Sequence, residues 1–263
     1  MVEQIYGNGQ MEIVNELLEN GYSIRHNQEL NMSELVDFCQ QIGNTNDDVL
    51  GHMHFNPKDN PDISLVRKGG LFGTSELEWH SNGTCCHLDE FKEIVVCLYC
   101  VEECVDTTLS VLNQRDVFNS LTTNDKNYWR SIEVQLNHSG KPMLVPEEDR
   151  EYHYSEEYAN FEHTHTNERM SIVGIHPITK EEFLYWQLPF ITKAWRNGFR
   201  LNVDDIKKQL RELMESSIHK KEFVFKKGDL FFMDQLLTLH KRSKVVNHNR
   251  ELWRLALDYE NIK

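Results

Sequence analysis

Short, mostly apolar runs recur along the chain, a pattern that favours β-strands. The predicted strands cover residues 94–101, 170–175, 183–185, 222–225, 230–233 and 253–259. Turn-forming residues separate these runs, and many short strands of this kind are typical of a β-sandwich or jelly roll. We therefore predict a mainly β fold.

Helices are expected between and before these strands. Apolar residues at helical spacing predict helices over residues 11–21, 34–42, 109–121 and 203–217. Gly21 is expected to end the first helix and Ser33 to cap the second. Residues 44–70 are rich in Asn, Asp, Pro and Gly, and they are predicted to form a long loop.

Length and charge narrow the class of protein. The 263 residues suffice for a single domain over residues 1–263 with a core of its own. The net charge of −14 argues against nucleic acid and anionic membrane as partners, because basic surface supplies most of the affinity for both. The first residues lack a secretory signal, and no apolar run reaches the length of a membrane span. We expect a soluble, cytoplasmic protein, and the sequence leaves a homo-oligomer open.

Closely spaced cysteines offer one alternative chemistry. Cys97, Cys100 and Cys104, with Cys85-Cys86-His87 upstream, have short spacings that can suit a structural zinc site. Cys97 and Cys100 belong to a predicted strand, however, and residues three apart on a strand point to opposite faces. Free cysteine is also among the most buried residue types. Burial in the core is therefore favoured over zinc binding.

Two histidines lie in segments that together suggest an iron centre. A mononuclear iron site with two histidines and one carboxylate leaves open positions for a cosubstrate and O₂. Four segments carry the pattern: Trp79-His80-Ser81-Asn82-Gly83, Asp106-Thr107, Gly228-Asp229-Leu230-Phe231-Phe232-Met233-Asp234 running into Leu239-His240, and Arg250-Glu251-Leu252-Trp253-Arg254. By their order and separation they resemble the taurine dioxygenase and clavaminate synthase-like family of Fe(II)/2-oxoglutarate oxygenases. The resemblance extends from about Gly21-Tyr22 to Leu255-Ala256-Leu257-Asp258.

The resemblance implies a double-stranded β-helix, that is, a jelly roll of two sheets with helices packed outside and iron at its open mouth. It assigns His80 and His240 as metal ligands. Without the resemblance, His80 would be interpreted as a structural histidine, and His240 as a surface histidine beside Lys241 and Arg242. The family pattern is His-x-Asp/Glu, and Asn82 departs from it.

Asn82 has the spacing of the third ligand, because residues i and i+2 of an extended segment point to the same side. Its amide oxygen is a neutral and weaker donor than a carboxylate. Three interpretations stay open. Asn82 replaces an original aspartate to trap an inactive complex, or it is a natural ligand variant, or the site has two histidines plus an exogenous anion. The last arrangement is that of the related halogenases, where a small residue replaces the carboxylate.

Arg250 and Arg254 stand four apart in a predicted strand, so both can project from one face. A guanidinium forks onto a carboxylate with two hydrogen bonds. The resemblance assigns Arg250 to the distal carboxylate of 2-oxoglutarate, with a hydrogen bond from the Thr107 hydroxyl. Arg254 is then expected nearer the iron, in contact with the cosubstrate or with an anionic group of the substrate.

The implied reaction uses Fe(II), 2-oxoglutarate and O₂, and it converts 2-oxoglutarate to succinate and CO₂ while oxidising an unactivated C–H bond. The expected substrate is a small polar metabolite, such as an amino acid or another anion, and hydroxylation is the default outcome. The alternative is a protein of the same fold that binds 2-oxoglutarate without turnover. The pairs His52/His54 and His163/His165 match no part of the family pattern, although His52 or His54 can line a substrate pocket.

Overall fold

The fold is built mainly from strands. The computed structural model of the chain describes residues 8–45, 60, 62–67, 74–82, 94–103, 105–136, 169–185, 188–246 and 249–258. The helices in these ranges are α1 (Asn8–Asn20), α2 (Met32–Gln40), α3 (Gln114–Ser120), α4 (Thr123–Arg130) and α5 (Val203–Glu215). The strands are β1 (Tyr22–Arg25), β2 (Ser64–Arg67), β3 (Leu77–His80), β4 (Val95–Glu102), β5 (Leu109–Asn113), β6 (Ile132–Leu136), β7 (Met170–Ser171), β8 (Val173–Ile175), β9 (Glu182–Leu184), β10 (Ile191–Arg196), β11 (Phe199–Leu201), β12 (Lys221–Phe223), β13 (Leu230–Asp234), β14 (Thr238–Arg242) and β15 (Glu251–Leu257). Within the described ranges, no helix is long and apolar enough to cross a membrane.

Two sheets form the body of the fold. One has the strand order β1-β13-β4-β15-β2, and the other has the order β12-β5-β14-β3. Neighbouring strands in both sheets are antiparallel. Strands that follow one another closely in the chain, such as β13, β14 and β15, lie in alternating sheets. This topology is the predicted double-stranded β-helix, and that prediction is confirmed.

Apolar side chains from both sheets meet in the space between them. Leu98, Phe231 and Leu252 come from the five-stranded sheet, and Leu109 and Val111 come from the other. These residues form one buried cluster, because alternate residues of each strand point inward. The inner faces therefore pack as a filled core.

The outer faces of both sheets are also covered. Helices α1 and α2 contribute Leu17 and Leu35 to a cluster on the outside of the five-stranded sheet. Helix α5 contributes Leu210 to another cluster, which also holds Trp79 of β3 and Leu239 of β14. A second four-stranded sheet, of order β11-β10-β6-β7, adds residues to that same cluster. The outer faces of strands β3 and β14 therefore pack against this apolar cluster.

The segment 109–121 differs from the predicted helix. Its first part is β5, which pairs with both β12 and β14, and only the second part is helical, as α3. The side chain of Asn113 accepts hydrogen bonds from the backbone N–H groups of Arg115 and Asp116 and so caps α3. A short apolar run cannot be assigned to helix or strand by periodicity alone, and here sheet pairing decides.

Two further predictions need correction. The predicted strand 170–175 divides into β7, which pairs with β6, and β8, which pairs with β9. The predicted loop 44–70 contains β2, which pairs with β15 and buries Ser64 and Leu65. Residues 46–59, 61 and 68–70 of that predicted loop lie outside the described residues.

The cap of α2 is Asn31, and the prediction of Ser33 is wrong. The Asn31 side chain accepts a hydrogen bond of 3.0 Å from the Glu34 N–H, and the Glu34 carboxylate accepts one of 2.8 Å from the Asn31 N–H. This reciprocal capping box satisfies two otherwise unpaired donors and begins the helix at Met32.

Replacing Asn31 by Ala should lower the free energy of unfolding by about 1 kcal/mol, because the first turn loses its cap. Ser33→Ala is the matched control and should change it far less, since the Ser33 hydroxyl makes only an exposed contact of 3.4 Å with Asn60. Urea denaturation of both variants measures the difference. Equal losses would contradict the assignment of the cap.

Candidate metal and cosubstrate site

His80 and His240 face each other across neighbouring strands. His80 is the last residue of β3, and it is the direct antiparallel partner of His240 in β14. Their ring centroids are 4.3 Å apart, with 50° between the ring planes. Both residues are only 6% exposed, so the interpretation of His240 as a surface histidine is wrong. Sheet pairing thus brings together His80 and His240, which are 160 positions apart in the sequence.

The protonation state of His80 suits a metal ligand. Its Nδ1–H donates a hydrogen bond of 2.6 Å to the Glu78 carbonyl oxygen, which can only accept. This bond leaves the lone pair on Nε2. Burial lowers the pKa of His80 to about 4, and this effect outweighs that of the Glu78 hydrogen bond, which raises the pKa. The imidazole is therefore neutral at pH 7, as metal ligation requires.

His240 carries a buried nitrogen that lacks a partner. Its Nδ1 has no hydrogen-bond partner among the residues that the structure describes. Burial lowers the pKa of His240 well below its ordinary value, and the neighbouring His80 and Arg254 lower it further. Buried polar atoms rarely stay unsatisfied. Two adjacent neutral imidazoles, one with an orphaned nitrogen, fit a divalent metal ion.

Asn82 lies just beyond the end of β3. Its backbone N–H donates a hydrogen bond of 2.6 Å to Oε1 of Gln235, which is fully buried. Across the described part of the chain, no group of three or more His, Cys, Asp and Glu residues is arranged to hold a metal. The two histidines therefore have no third ligand of these types in the described ranges, and Asn82 stands at the spacing where the family has one.

Thr107 and Arg250 line one small cavity, as expected of residues that share a ligand. Both are buried. The other residues that line the cavity are Cys100, Glu102, Leu109, Phe225, Arg242 and Leu252. Its volume of about 10 Å³ holds about one water molecule, so some of these side chains must shift to admit a carboxylate.

Arg242 is a residue of this cavity that sequence reasoning missed. It follows His240 by two positions on β14 and is 4% exposed, and its Nη2 donates a hydrogen bond of 2.5 Å to the Ser75 carbonyl oxygen. Besides lining the cavity with Arg250, it lowers the pKa of His80 by its charge, in addition to the larger effect of burial. Strand alternation from His240 was the signal that could have identified it.

Arg254 lies on the inner face of β15, as predicted. It is 4% exposed, and its charge contributes to the lowered pKa of His240 after burial and the neighbouring His80. Leu252, midway between Arg250 and Arg254, belongs to the inner cluster, whereas Trp253 and Leu255 pack on the outer face. Arg254 therefore lies on the inner side of β15, and Arg250, which directly precedes the strand, lines the inner cavity together with Leu252.

The carboxylate of Glu215 accepts hydrogen bonds from both strands that carry the histidines, β3 and β14. Glu215 of α5 accepts a hydrogen bond of 2.9 Å from Trp79 Nε1 and one of 2.6 Å from Lys241 Nζ. Trp79 and Lys241 are the chain neighbours of the two histidines. No sequence pattern indicated this contact, because it depends on how α5 packs against the sheet.

The zinc alternative gains no support from the described cysteines. Cys97 packs in the outer cluster and Cys100 in the inner one, so they point to opposite faces, as predicted. Burial raises the pKa of Cys97 well above its ordinary value and that of Cys100 to about 12, which keeps both thiols protonated. The other residues of the alternative metal motifs lie outside the described residues: Cys85, Cys86, His87, Cys104, His52, His54, His163 and His165.

Comparison with known proteins points to one family. The family model described as taurine catabolism dioxygenase TauD, TfdA family, matches residues 3–256. A crystal structure of a taurine dioxygenase from Burkholderia xenovorans is 15% identical, with a TM-score of 0.68 over 97% of this chain and 81% of that one. A protein of the same organism, assigned as an alpha-ketoglutarate-dependent taurine dioxygenase, is 16% identical, with a TM-score of 0.69 over 97% and 82%. AAD-2 in complex with Mn(II) and N-oxalylglycine is 14% identical, with a TM-score of 0.66 over 97% and 89%. No curated protein sequence matches the chain.

Proposed function

Since the chain belongs to the taurine catabolism dioxygenase TauD, TfdA family, we propose that His80, Asn82 and His240 hold its Fe(II) ion. The chain is an Fe(II)- and 2-oxoglutarate-dependent dioxygenase, as its sequence predicted. One observation carries the ligand assignment: the two histidines are direct cross-strand partners, buried, with ring centroids 4.3 Å apart.

Bound Fe(II) supplies the oxidation, in which O₂ and 2-oxoglutarate give succinate and CO₂ and one oxygen atom enters the substrate. The protein contributes two neutral imidazole donors held by β3 and β14. Asn82 would contribute a neutral amide oxygen in place of a carboxylate, so the residues that hold the metal would supply one negative charge fewer than in the usual family pattern.

Arg250 and Thr107 bind the distal carboxylate of 2-oxoglutarate, with Arg242 as a second cation beside them. The shared cavity and the burial of all three side chains support this assignment. A guanidinium presents two parallel N–H donors to a carboxylate, and the Thr107 hydroxyl can donate a third hydrogen bond. The contact orients the cosubstrate relative to the histidine pair.

Arg254 selects a small polar substrate that carries an anionic group, such as an amino acid. Its charge acts on His240, which supports a position nearer to the metal than that of Arg250. A buried guanidinium beside the reacting centre favours an anion over a neutral molecule of equal size. Hydroxylation of an unactivated C–H bond is the expected outcome.

The amide at position 82 favours a second candidate, a protein that binds 2-oxoglutarate without turnover. Protein purified without oxygen distinguishes the two by its metal content and by consumption of 2-oxoglutarate after O₂ is added. Bound iron with substrate-dependent consumption supports the oxygenase. Binding of 2-oxoglutarate without consumption supports the second candidate, and chloride or bromide in the product would identify a halogenase.

Asn82→Asp should tighten Fe(II) binding and raise 2-oxoglutarate turnover, because it restores a negative charge to the metal site. We expect at least about a tenfold gain in affinity, since a charge pair at a few Å contributes more than about 1.4 kcal/mol even when partly screened. Anaerobic metal titration and a 2-oxoglutarate consumption assay measure the two effects.

Asn202→Asp is the matched control, because it adds the same charge at the N-cap of α5. Asn202→Asp should change neither the Fe(II) affinity nor the 2-oxoglutarate turnover. Lower turnover in Asn82→Asp would mean that the asparagine is a natural, tuned ligand. Unchanged affinity and activity would mean that residue 82 does not face the metal.

A further inference from the structure

Gln235 connects the turn between β13 and β14 to the segment that carries Asn82. Its side-chain Oε1 accepts a hydrogen bond of 2.6 Å from the Asn82 backbone N–H, and the residue is 0% exposed. We propose that Gln235 is a positioning residue that sets the geometry of Asn82 toward the metal. This inference rests on the proposed function, because it concerns the same metal site.

The turn that carries Gln235 is held in one conformation. Oδ1 of Asp234 accepts hydrogen bonds of 2.8 and 2.9 Å from the N–H groups of Leu236 and Leu237. The Gln235 N–H donates to the Ile94 carbonyl oxygen at 2.7 Å. With its backbone bonded on both sides, Gln235 presents Oε1 from a fixed position.

The same turn leads directly into the strand of His240. The Thr238 hydroxyl at the start of β14 donates a hydrogen bond of 2.6 Å to the Asp234 carbonyl oxygen. This hydrogen bond fixes the turn relative to the start of β14, the strand that carries His240. The same turn therefore positions His240 through the backbone and Asn82 through the Gln235 side chain.

Position 82 needs this support more than His80 does. His80 is fixed by β3 and by its own hydrogen bond to Glu78. Asn82 lies two residues past the strand and is only partly buried. A neutral amide oxygen also holds a cation weakly, so its contribution depends on correct placement, and groups that orient metal ligands typically affect metal affinity by about 10–100-fold.

Gln235→Met tests the inference, because methionine has similar size and no acceptor for the Asn82 N–H. Gln114→Met is the matched control. Gln114 is 1% exposed and donates a hydrogen bond of 3.3 Å to the Leu236 carbonyl oxygen on the same turn, a contact that does not involve residue 82. Co(II) titration of the metal-free proteins gives the affinity, and the intensity of the visible Co(II) bands reports the number of ligands.

We expect Gln235→Met to bind Co(II) about tenfold more weakly and with altered band intensities, whereas Gln114→Met binds it as the unchanged chain does. Gln235→Glu keeps the acceptor and should stay within about threefold of the unchanged chain. Normal affinity and spectrum in Gln235→Met, or a tenfold loss in Gln235→Glu, would overturn the inference. Should Gln235→Met not fold, the Glu variant and slow hydrogen exchange of the Asn82 amide in the unchanged chain decide it, and fast exchange would overturn it.

His240→Ala separates this test from that of the proposed function. If the unchanged chain binds no Co(II), or His240→Ala binds it equally well, the metal site itself is wrongly assigned. If His240→Ala loses binding while Gln235→Met keeps it, only the positioning role of Gln235 fails.

Discussion

His240→Ala should lose metal binding at micromolar metal. The variant removes one of two adjacent buried imidazoles, and the remaining His80 would have to hold the ion with the neutral amide of Asn82. Changes that only reorient a metal ligand typically cost about 10–100-fold in affinity, so loss of a ligand should exceed about 100-fold. Anaerobic titration with Fe(II) or Mn(II) measures the change, and His80→Ala should behave alike.

His219→Ala is the matched control, because it removes a partly exposed histidine outside the β3–β14 pair. The metal affinity of His219→Ala should equal that of the unchanged chain. Any loss that it shows measures the contribution of weak binding by histidines outside the site. The thermal midpoint of each variant shows whether the protein is folded. A folded His240→Ala protein with unchanged affinity would contradict the ligand assignment.

The sequence predicted the class of fold but not every strand. Strands β4, β13 and β15 follow the predicted runs closely, because each is a mainly apolar stretch that is buried over most of its length. β5 was predicted as helix, and β2 lay in a predicted loop. Both depend on partners far away in the sequence, so local periodicity carries little information about them.

The candidate site was predictable where a motif has a fixed spacing. His80, Asn82, His240, Arg250 and Arg254 all came from segments whose order resembles a family, and strand alternation supported a common face for the two arginines. Arg242 and Gln235 were missed for different reasons. Strand alternation from His240 would have placed Arg242 on the same face, but β14 was not among the predicted strands. The contact of Gln235 with Asn82 joins two distant segments, which no local pattern indicates.

Local charge at the site differs in sign from the charge of the whole chain. The chain carries −14, yet Arg242 and Arg250 line one small cavity and Arg254 lies on the inner side of β15, each no more than 9% exposed. Buried guanidiniums act on nearby groups far more strongly than exposed charges do, because solvent screens them less. An acidic protein can therefore bind an anionic cosubstrate, and Arg250, which lines the small cavity with Thr107, is the first arginine to test.

Arg250→Ala should weaken 2-oxoglutarate binding at least tenfold while leaving metal affinity largely intact. Loss of one partner of a buried charge-assisted pair costs about 2–5 kcal/mol, which already corresponds to more than tenfold at its lower limit. The 2-oxoglutarate affinity of Arg250→Lys should lie between those of the unchanged chain and Arg250→Ala, because lysine keeps the charge but lacks the second donor of the guanidinium. Calorimetric titration of the Mn(II)-loaded protein with 2-oxoglutarate, without O₂, measures binding with no turnover.

Arg115→Ala is the matched control for this prediction, because Arg115 is also buried, at 8% exposed, but donates to the Leu18 carbonyl oxygen and to Glu181. Its loss should lower stability and leave 2-oxoglutarate affinity unchanged. Arg242→Ala should weaken 2-oxoglutarate binding less than Arg250→Ala, because the Arg242 guanidinium also bonds the Ser75 carbonyl oxygen. An unchanged titration for Arg250→Ala, with a tenfold loss for Arg242→Ala, would transfer the carboxylate contact to Arg242.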